Sequence, residues 1–339
     1  MRAAKLVELN RIEVVDLPVP VIAKPTDVQV RVKAVGVCGT DLHMFREHRA
    51  DVQLPRIMGH ELSGEVMAVG EAVTRVKVGD RVALDPVFAC GTCATCRKGY
   101  PNVCSSVKCY GVQMDGGFQD VIVVGEEHLY PFSPEISYED AALAEPFSIA
   151  SNILDRVQLQ AGEKLLLIGS GTIGLSVLQV AKSMGAEVLV SDVAAEKLAI
   201  ASAMGADAVV NSREASLDEA AAAFTPEGFE VVLDAVGVTP LFQQSIQYAA
   251  PRGRIACIGF DARPVEFPPV VVTKKELTIV GSRMNCGRFP IVMQWLEEGK
   301  IRASEMISRT YPVEQIQQAF EETLANSATN VKTLILFDE

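Results

Sequence analysis

The sequence predicts a two-domain α/β protein, in which a β-rich, partly open barrel is followed by a doubly wound parallel sheet. The chain has 339 residues, which is too long for one ordinary domain and suits two. Up to about residue 149, short runs are broken by glycine and proline, as is typical of β domains. Beyond it, apolar runs alternate with helical segments, which indicates a parallel sheet covered on both faces.

The strands of the first domain are predicted by alternation of apolar and polar side chains. Residues 28–35 alternate most clearly and predict a half-buried strand. Similar runs follow at residues 63–69, 81–84 and 118–124. The strands of the second domain are instead short and continuously apolar, and they lie at residues 165–168, 188–190, 208–210, 231–233 and 255–258.

After about residue 284 the alternation stops, and the tail predicts a helix over 289–298, a second helix after Pro312 and a final strand over 332–337. We expect the tail to return to the first domain, so that residues 1–149 and 286–339 form one domain and 150–285 the other. Residues 270–280 are apolar and β-rich, which predicts an edge strand. An uncovered strand edge can pair with another chain, so we expect a homo-oligomer.

Charge and hydropathy restrict the class of partner. The net charge is −12 and the pI about 5.0, so no basic face is available for nucleic acid or an acidic membrane. The N-terminus lacks a signal-peptide pattern. The most apolar stretch after the N-terminus, residues 165–180, is interrupted by glycine and polar residues, whereas a bilayer span needs about 20 mostly apolar residues. We therefore expect a cytoplasmic protein that acts on a small molecule.

Four cysteines at short spacings form the most specific motif in the chain. Thiolates placed this closely can surround one Zn²⁺ in a closed, structural site. The alternative is buried or disulfide-paired cysteine, which the absence of an export signal disfavours. The predicted ligands are Cys90, Cys93, Cys96 and Cys104.

A glycine-rich turn between the first predicted parallel strand and its helix matches the dinucleotide-binding pattern GxGxxG. Asp192 ends the next strand and would accept hydrogen bonds from the adenosine ribose hydroxyls while repelling a 2′-phosphate. Lys197 is the only basic side chain in the five residues that follow, so NAD is favoured over NADP. The turn itself supplies Gly169, Gly171, Thr172, Ile173 and Gly174.

Two polar segments, residues 38–43 and 59–61, together with the distant Glu145 could hold a second zinc ion with an open position for substrate. Thr40 and His43 lie within a few residues of Cys38, in the polar segment 38–43, and could carry a proton. The residues alone leave open whether these groups meet, because a lone cysteine is usually core and a lone glutamate usually surface. The metal-ligand candidates are Cys38, His60, Glu61 and Glu145.

Together these motifs resemble the zinc-containing medium-chain dehydrogenases over essentially the whole chain. The resemblance is greatest to the sorbitol and threonine dehydrogenase branch, which includes bacterial sugar-acid (galactonate-type) dehydrogenases. In the alcohol dehydrogenase branch the third catalytic ligand is a cysteine, where this sequence has Glu145. Whether Glu61, Glu145 or both in turn contact the metal is left open. The matching segments are Gly36-Val37-Cys38-Gly39-Thr40-Asp41-x-His43, Pro55-Arg56-x-x-Gly59-His60-Glu61-x-x-Gly64, residues 90–104, Glu145-Pro146 and residues 169–174.

The resemblance implies a GroES-like catalytic domain, a Rossmann domain, one catalytic and one structural Zn²⁺, and NAD. It implies that zinc lowers the pKa of a substrate hydroxyl, that Thr40 accepts the proton and passes it towards His43, and that NAD⁺ takes the hydride. Further residues are expected near the nicotinamide: Ala235, Val236, Gly237, Ile258, Gly259, Phe260 and Ser282. Arg283, Asn285 and His48 are candidate substrate contacts.

The favoured activity is oxidation of a secondary alcohol on a polyol, sugar acid or related hydroxy compound. One alternative is an NADP-linked aldehyde or ketone reductase of the same family, which Asp192 and the intact ligand set disfavour. The other is a non-enzymatic zinc protein, which would need neither the dinucleotide turn nor the segment around Cys38.

Overall fold

The computed structural model describes residues 1–259 and 261–337, which pack as two compact units. Unit 1 comprises Met1–Ser148 and Asn285–Glu339, and unit 2 comprises Ile149–Met284. Within the described ranges, no helix combines the length and apolar character that a membrane span requires.

The elements are numbered along the chain. The strands are β1 (Arg2–Glu8), β2 (Arg11–Asp16), β3 (Asp27–Val37), β4 (Arg56–Ile57), β5 (Glu61–Val69), β6 (Arg81–Leu84), β7 (Val87–Phe88), β8 (Lys108–Cys109), β9 (Val121–Gly125), β10 (Leu129–Pro131), β11 (Lys164–Ile168), β12 (Glu187–Asp192), β13 (Ala208–Asn211), β14 (Phe229–Asp234), β15 (Ala249–Cys257), β16 (Thr278–Gly281), β17 (Ile307–Pro312) and β18 (Lys332–Leu336). The α-helices are α1 (Gly39–Arg46), α2 (Ala94–Arg97), α3 (Tyr138–Ala142), α4 (Ala144–Arg156), α5 (Thr172–Ser183), α6 (Ala195–Ala203), α7 (Leu217–Phe224), α8 (Thr239–Tyr248), α9 (Pro269–Lys275), α10 (Phe289–Glu297) and α11 (Ile316–Ala325).

Unit 1 is built around a seven-stranded sheet with the order β10-β6-β5-β3-β18-β17, in which β9 also pairs with β3. All of its pairings are antiparallel except that of β17 with β18. The long strand β3 alternates buried side chains with half-buried or exposed ones over residues 28–33, as its sequence predicted. Smaller sheets, β2-β1-β4 and β7-β8, complete this β-rich unit.

The C-terminal tail is part of the core of unit 1. Strand β18 pairs with β3, and the buried ring of Phe320 from α11 lies 5.3 Å from that of Phe45 and 5.9 Å from that of Phe118. The helix predicted after Pro312 therefore packs with Phe320 facing inward, although the first turn, Val313–Gln315, is a 3-10 helix. Burial of such aromatic rings fixes the tail against the N-terminal strands.

Unit 2 contains one six-stranded sheet with the order β13-β12-β11-β14-β15-β16, and all of its pairings are parallel. The strand order places β11 at the centre, where its residues are buried on both faces. This explains why its sequence is continuously apolar rather than alternating. The predicted doubly wound sheet is confirmed.

One part of the sequence prediction is wrong. Residues 270–280 are not a continuous strand, because Val270, Val271 and Val272 lie in helix α9 and only Thr278–Gly281 forms the edge strand β16. Two prolines, Pro268 and Pro269, occupy the start of this helix, where a missing N–H is tolerated. Packing of Val271 and Val272 against the core of unit 2 then outweighs the weak preference of β-branched residues for strands.

Candidate active site and cofactor site

The pairing of β3 with β5 brings the segment of Cys38 close to the segment of His60 and Glu61. Gly36 near the end of β3 lies opposite Glu61 at the start of β5. Cys38 follows β3 directly, and His60 precedes β5 directly. As a result, ligand atoms of Cys38, His60 and Glu61 all lie within 4.8 Å of one another.

Glu145 lies near this group without being part of the 4.8 Å cluster. It occupies the first turn of α4 and its side chain is buried. Burial raises the pKa of Glu145 to about 7, and the neighbouring charge of Glu61 acts in the same direction, whereas that of His60 opposes it. Burial also raises the pKa of the Cys38 thiol well above its usual range, with a further contribution from Glu61.

Sequence reasoning missed a lysine that contacts the cluster. Lys332 on β18 is 1% exposed, and its Nζ donates to Glu61 Oε1 at 2.8 Å, to Glu61 Oε2 at 2.7 Å and to the carbonyl of Val37 at 3.1 Å. Burial lowers the pKa of Lys332, but the negative groups around it, led by Glu61, raise it above its usual value. A lysine within an otherwise apolar strand was the available signal.

Asp41 lies in the segment that carries Cys38, and the sequence alone indicates no function for it. It is fully buried, and its carboxylate accepts from the backbone N–H of Cys38 at 2.9 Å and of Gly59 at 3.3 Å. Its Oδ1 also lies 3.7 Å from Nδ1 of His60. Asp41 therefore ties the segment that carries Cys38 to the segment that carries His60.

The composition of the cluster suits a divalent cation. Asp41, Glu61 and Glu145 are all buried, and Lys332 is the basic side chain that hydrogen-bonds within the group. His60 Nδ1 is buried without a hydrogen-bond partner among the described residues. Buried carboxylates need compensating charge, and sulfur, imidazole and carboxylate are the ligand types of catalytic zinc. The residues present therefore fit a zinc ion.

The two proton-transfer candidates lie on the helix that begins after Cys38. Thr40 and His43 are three positions apart in α1, so their side chains are neighbours on one helical face. Thr40 is half-buried, whereas His43 is exposed. A proton released near Thr40 would thus have a nearby acceptor in contact with water.

The four cysteines of the predicted structural site also converge, and their Sγ atoms all lie within 4.8 Å of one another. The Sγ separations are 3.4 Å for Cys93–Cys96, 3.5 Å for Cys90–Cys104 and 4.0 Å for Cys90–Cys96. A tetrahedron with metal–sulfur bonds of about 2.3 Å has edges of about 3.8 Å. These distances match that geometry and are too long for a disulfide.

Hydrogen bonds favour the thiolate form of two of these cysteines. Donation from the backbone and hydroxyl of Thr92 lowers the pKa of Cys90 to about 7, and the hydroxyl of Thr95 is the main cause that lowers the pKa of Cys93 to about 5. Burial and the neighbouring sulfur of Cys93 raise the pKa of Cys96 to about 12. All eight cysteines have free thiols, so the spacing has not produced a disulfide framework.

The glycine-rich turn of unit 2 has the shape that a dinucleotide site requires. A Cβ at Gly174 would lie 2.0 Å from the carbonyl oxygen of Gly169, so this position accepts only glycine. A Cβ at Gly171 would meet no atom within 4 Å, which leaves the backbone open to a ligand at the start of α5. Open backbone N–H groups at a helix N-terminus favour phosphate binding. Thr172 and Ile173 are half-buried in the first turn of this helix.

Asp192 lies at the end of β12, directly beside the turn. Its Oδ2 accepts from the backbone N–H of Ser170 at 2.6 Å and from the Ser170 hydroxyl at 2.7 Å. Burial raises the pKa of Asp192, but these bonds and those from the next two backbone N–H groups outweigh it, so the pKa lies below its usual value. The carboxylate is therefore ionised, and it lies near Lys197. Burial lowers the pKa of Lys197 below its usual value, although the charge of Asp192 opposes this shift.

The loops expected near the nicotinamide follow the neighbouring strands β14 and β15. Ala235 and Gly237 come after β14, Ile258 and Gly259 come after β15, and a Cβ at Gly259 would lie 2.2 Å from the Cα of Gly237. The two loops are thus in direct contact. Phe260 lies outside the described residues. Ser282, which follows β16, accepts a hydrogen bond from Asn152 at 3.1 Å.

The three candidate substrate contacts differ in their surroundings. Asn285 is 1% exposed, and its Nδ2 donates to Asp85 Oδ1 at 3.0 Å while its Oδ1 is buried without a partner among the described residues. His48 and Arg283 are exposed. Binding of substrate by these residues stays a prediction.

Two family models and several curated relatives match the chain. Residues 24–134 match the family model described as the alcohol dehydrogenase GroES-like domain, and residues 172–298 match the one described as zinc-binding dehydrogenase. The chain is 32% identical to sorbitol dehydrogenase of Bacillus subtilis over 99% of this chain and 97% of that protein. It is 35% identical to D-altritol 5-dehydrogenase of Agrobacterium fabrum over 97% and 98%.

A solved structure extends this similarity to the fold. The crystal structure of an alcohol dehydrogenase (rspB) from Escherichia coli CFT073, determined with NADH, has a TM-score of 0.94 and 33% identity, with 99% of both chains covered. The relatives above are similar over nearly their whole length. The chain therefore belongs to the zinc-containing medium-chain alcohol dehydrogenase family and is a nicotinamide-linked dehydrogenase.

Proposed function

We propose that this enzyme oxidises a secondary alcohol of a polyol, sugar acid or related hydroxy compound, with hydride transfer to NAD⁺. The observation that carries the proposal is the cluster of half-buried Cys38 with buried His60 and Glu61, in which the sulfur, nitrogen and oxygen ligand atoms lie within 4.8 Å of one another. Sorbitol and D-altritol dehydrogenases among the relatives support the substrate class.

Two sets of residues are proposed to bind zinc. Cys38 and His60, with Glu61 or Glu145, would hold the catalytic ion, and the four cysteines between residues 90 and 104 would hold the structural one. When bound, the catalytic ion supplies Lewis acidity that makes a hydroxyl group easier to deprotonate. Since Lys332 donates to both oxygens of Glu61, it limits the freedom of this carboxylate to move.

The remaining residues act on protons and on geometry. Thr40 would accept the proton of the substrate hydroxyl, and His43, exposed one turn further along α1, would pass it to water. Asp41 would keep Cys38 and His60 in register through its hydrogen bonds to both segments. These are positioning and proton-transfer roles that the chain supplies by itself.

NAD⁺ rather than NADP⁺ is proposed as the cofactor because Asp192 is ionised at the position expected to face the adenosine ribose. A 2′-phosphate there would meet a like charge, and such a juxtaposition at a binding interface is unfavourable by several kcal/mol. Lys197 is proposed to contact the same ribose. An NADP-linked aldehyde or ketone reductase is the alternative, and both Asp192 and the complete set of metal-ligand candidates disfavour it.

We further propose a homo-oligomer in the cytoplasm, with a tetramer favoured over a dimer. Strand β16 lies at the edge of the six-stranded sheet, and its Ile279 is 43% exposed. An edge with unpaired backbone groups and an apolar side chain can pair with a second copy. Light scattering of the purified protein tests the oligomeric state.

A substrate screen tests the proposed activity. Polyols, aldonates, uronate-derived acids and threonine would be offered with NAD⁺ or NADP⁺, and NADH or NADPH formation measured by absorbance. We expect turnover of at least one polyol or sugar acid with NAD⁺. In the Asp192→Ala variant, the ratio of activity with NADP⁺ to activity with NAD⁺ should be higher than in the parent enzyme. Aldehyde reduction with NADPH alone, or an Asp192→Ala variant with unchanged cofactor preference, would contradict the proposal.

A further inference from the structure

The carboxylate of Asp192 already has a full set of hydrogen-bond donors from its own chain. Oδ2 accepts from the N–H of Ser170 at 2.6 Å and from its hydroxyl at 2.7 Å. Oδ1 accepts from the N–H of Val193 at 2.6 Å and of Ala194 at 3.0 Å. A carboxylate offers about four lone-pair sites, so all of them are occupied.

The present inference rests on the proposed role of Asp192 in binding the adenosine ribose. That role requires free acceptor sites on the carboxylate, and the chain's own donors already occupy them. A ribose whose hydroxyl groups donate to Asp192 needs acceptor sites that the chain now fills. Three of the four donors are backbone N–H groups, which the turn before α5 and the loop before α6 hold in place. The hydroxyl of Ser170 is the only donor of the four on a freely rotatable bond, and hence the one that can leave.

We propose that the Ser170 hydroxyl occupies the acceptor site on Asp192 that the 2′-hydroxyl of the adenosine ribose of NAD⁺ takes over, so that Ser170 competes with the cofactor and sets its affinity. Ser170 is fully buried, so a hydroxyl that turns away from Asp192 exchanges a charge-assisted hydrogen bond for a weaker one or for none. Asp192 is half-exposed, so water can fill the vacated site when no serine hydroxyl is present.

Removal of the Ser170 hydroxyl is therefore expected to tighten NAD⁺ binding rather than weaken it. Ser170→Ala removes the competitor before the cofactor arrives and keeps the backbone N–H, so the Kd for NAD⁺ should fall about five- to tenfold, the equivalent of one charged hydrogen bond partly lost. NADP⁺ has a phosphate in place of the 2′-hydroxyl, so its Kd should change less than about twofold, and selectivity for NAD⁺ should rise. A merely structural defect would weaken both cofactors together.

The test is isothermal titration calorimetry, which measures the Kd of the zinc-loaded enzyme for NAD⁺ and for NADP⁺. Ser245→Ala is the matched control, because Ser245 is also fully buried in unit 2 but donates within α8, to the carbonyl of Leu241 at 3.0 Å. It should leave both Kd values unchanged. Ser170→Cys, which retains only a weak donor, should lie between the parent and Ser170→Ala.

Asp192→Ala separates failure of this inference from failure of the proposed cofactor role. We expect Asp192→Ala to weaken NAD⁺, and Ser170→Ala to have no further effect in that background. If Asp192→Ala weakens NAD⁺ but Ser170→Ala leaves it unchanged or weaker, the competition is refuted and the role of Asp192 stands. If Asp192→Ala leaves NAD⁺ binding intact, both ideas are refuted.

Discussion

Lys332→Met should destabilise unit 1 by removing the cation that Glu61 depends on. Both side chains are 1% exposed, and Lys332 donates to both oxygens of Glu61 and to the Val37 carbonyl. Removal of one partner of a buried ion pair leaves an uncompensated charge, which costs about 3–5 kcal/mol in the free energy of unfolding. Methionine is chosen because it keeps the length and apolar stem of lysine.

Urea unfolding, monitored by tryptophan fluorescence, measures this loss of stability in unit 1. Trp295 is the only tryptophan of the chain and lies on α10 in unit 1. The measurement is made on protein stripped of metal with a chelator, so that zinc binding does not mask the change. Lys24→Met, at an exposed lysine, is the control and should change the free energy of unfolding by less than about 0.5 kcal/mol.

A double variant isolates the interaction between the two charges. Lys332→Met with Glu61→Gln removes both charges, so it should recover about half or more of the stability lost in the single Lys332→Met variant. Two results would contradict the buried pair described above. One is a Lys332→Met variant whose free energy of unfolding falls by less than about 1 kcal/mol. The other is a double variant whose loss equals the sum of the losses in the two single variants.

Three further variants test separate parts of the structure. Cys93→Ser should lower bound zinc from about two to about one ion per chain by elemental analysis and lower the melting temperature, with cofactor binding retained. Gly174→Ala should weaken NAD⁺ at least about tenfold in fluorescence titration, because its Cβ would lie 2.0 Å from a carbonyl oxygen of the turn. Asp41→Ala removes the acceptor of two backbone N–H groups beside the catalytic ligands and should lower zinc affinity about 10- to 100-fold in a chelator competition, whereas unchanged affinity would exclude its positioning role.

Local patterns were sufficient to predict most of the fold. The continuously apolar strands of unit 2 and the alternating strand β3 follow from burial on two faces or on one, which sequence periodicity records directly. The prediction failed at residues 270–272 because periodicity cannot separate a short apolar helix from a strand. There the two prolines and the packing of the helix on unit 2 decided the outcome.

The candidate site was predictable where its residues are close in sequence, and less so elsewhere. The four cysteines of residues 90–104 converge as their spacing predicted. Lys332 was missed because its contact with Glu61 spans 271 positions and depends on the pairing of β18 with β3. Likewise, sequence could place Ser170 in the turn but could not show that its hydroxyl donates to Asp192.

The most direct test of the proposed chemistry combines zinc analysis with NADH formation in Cys38→Ala. With a substrate found in the screen, the parent enzyme should contain about two zinc ions per chain and form NADH. Cys38→Ala should contain about one, bind NAD⁺ as the parent does, and form no NADH. A Cys38→Ala enzyme that retains full turnover would contradict a metal-dependent reaction at the Cys38, His60 and Glu61 cluster.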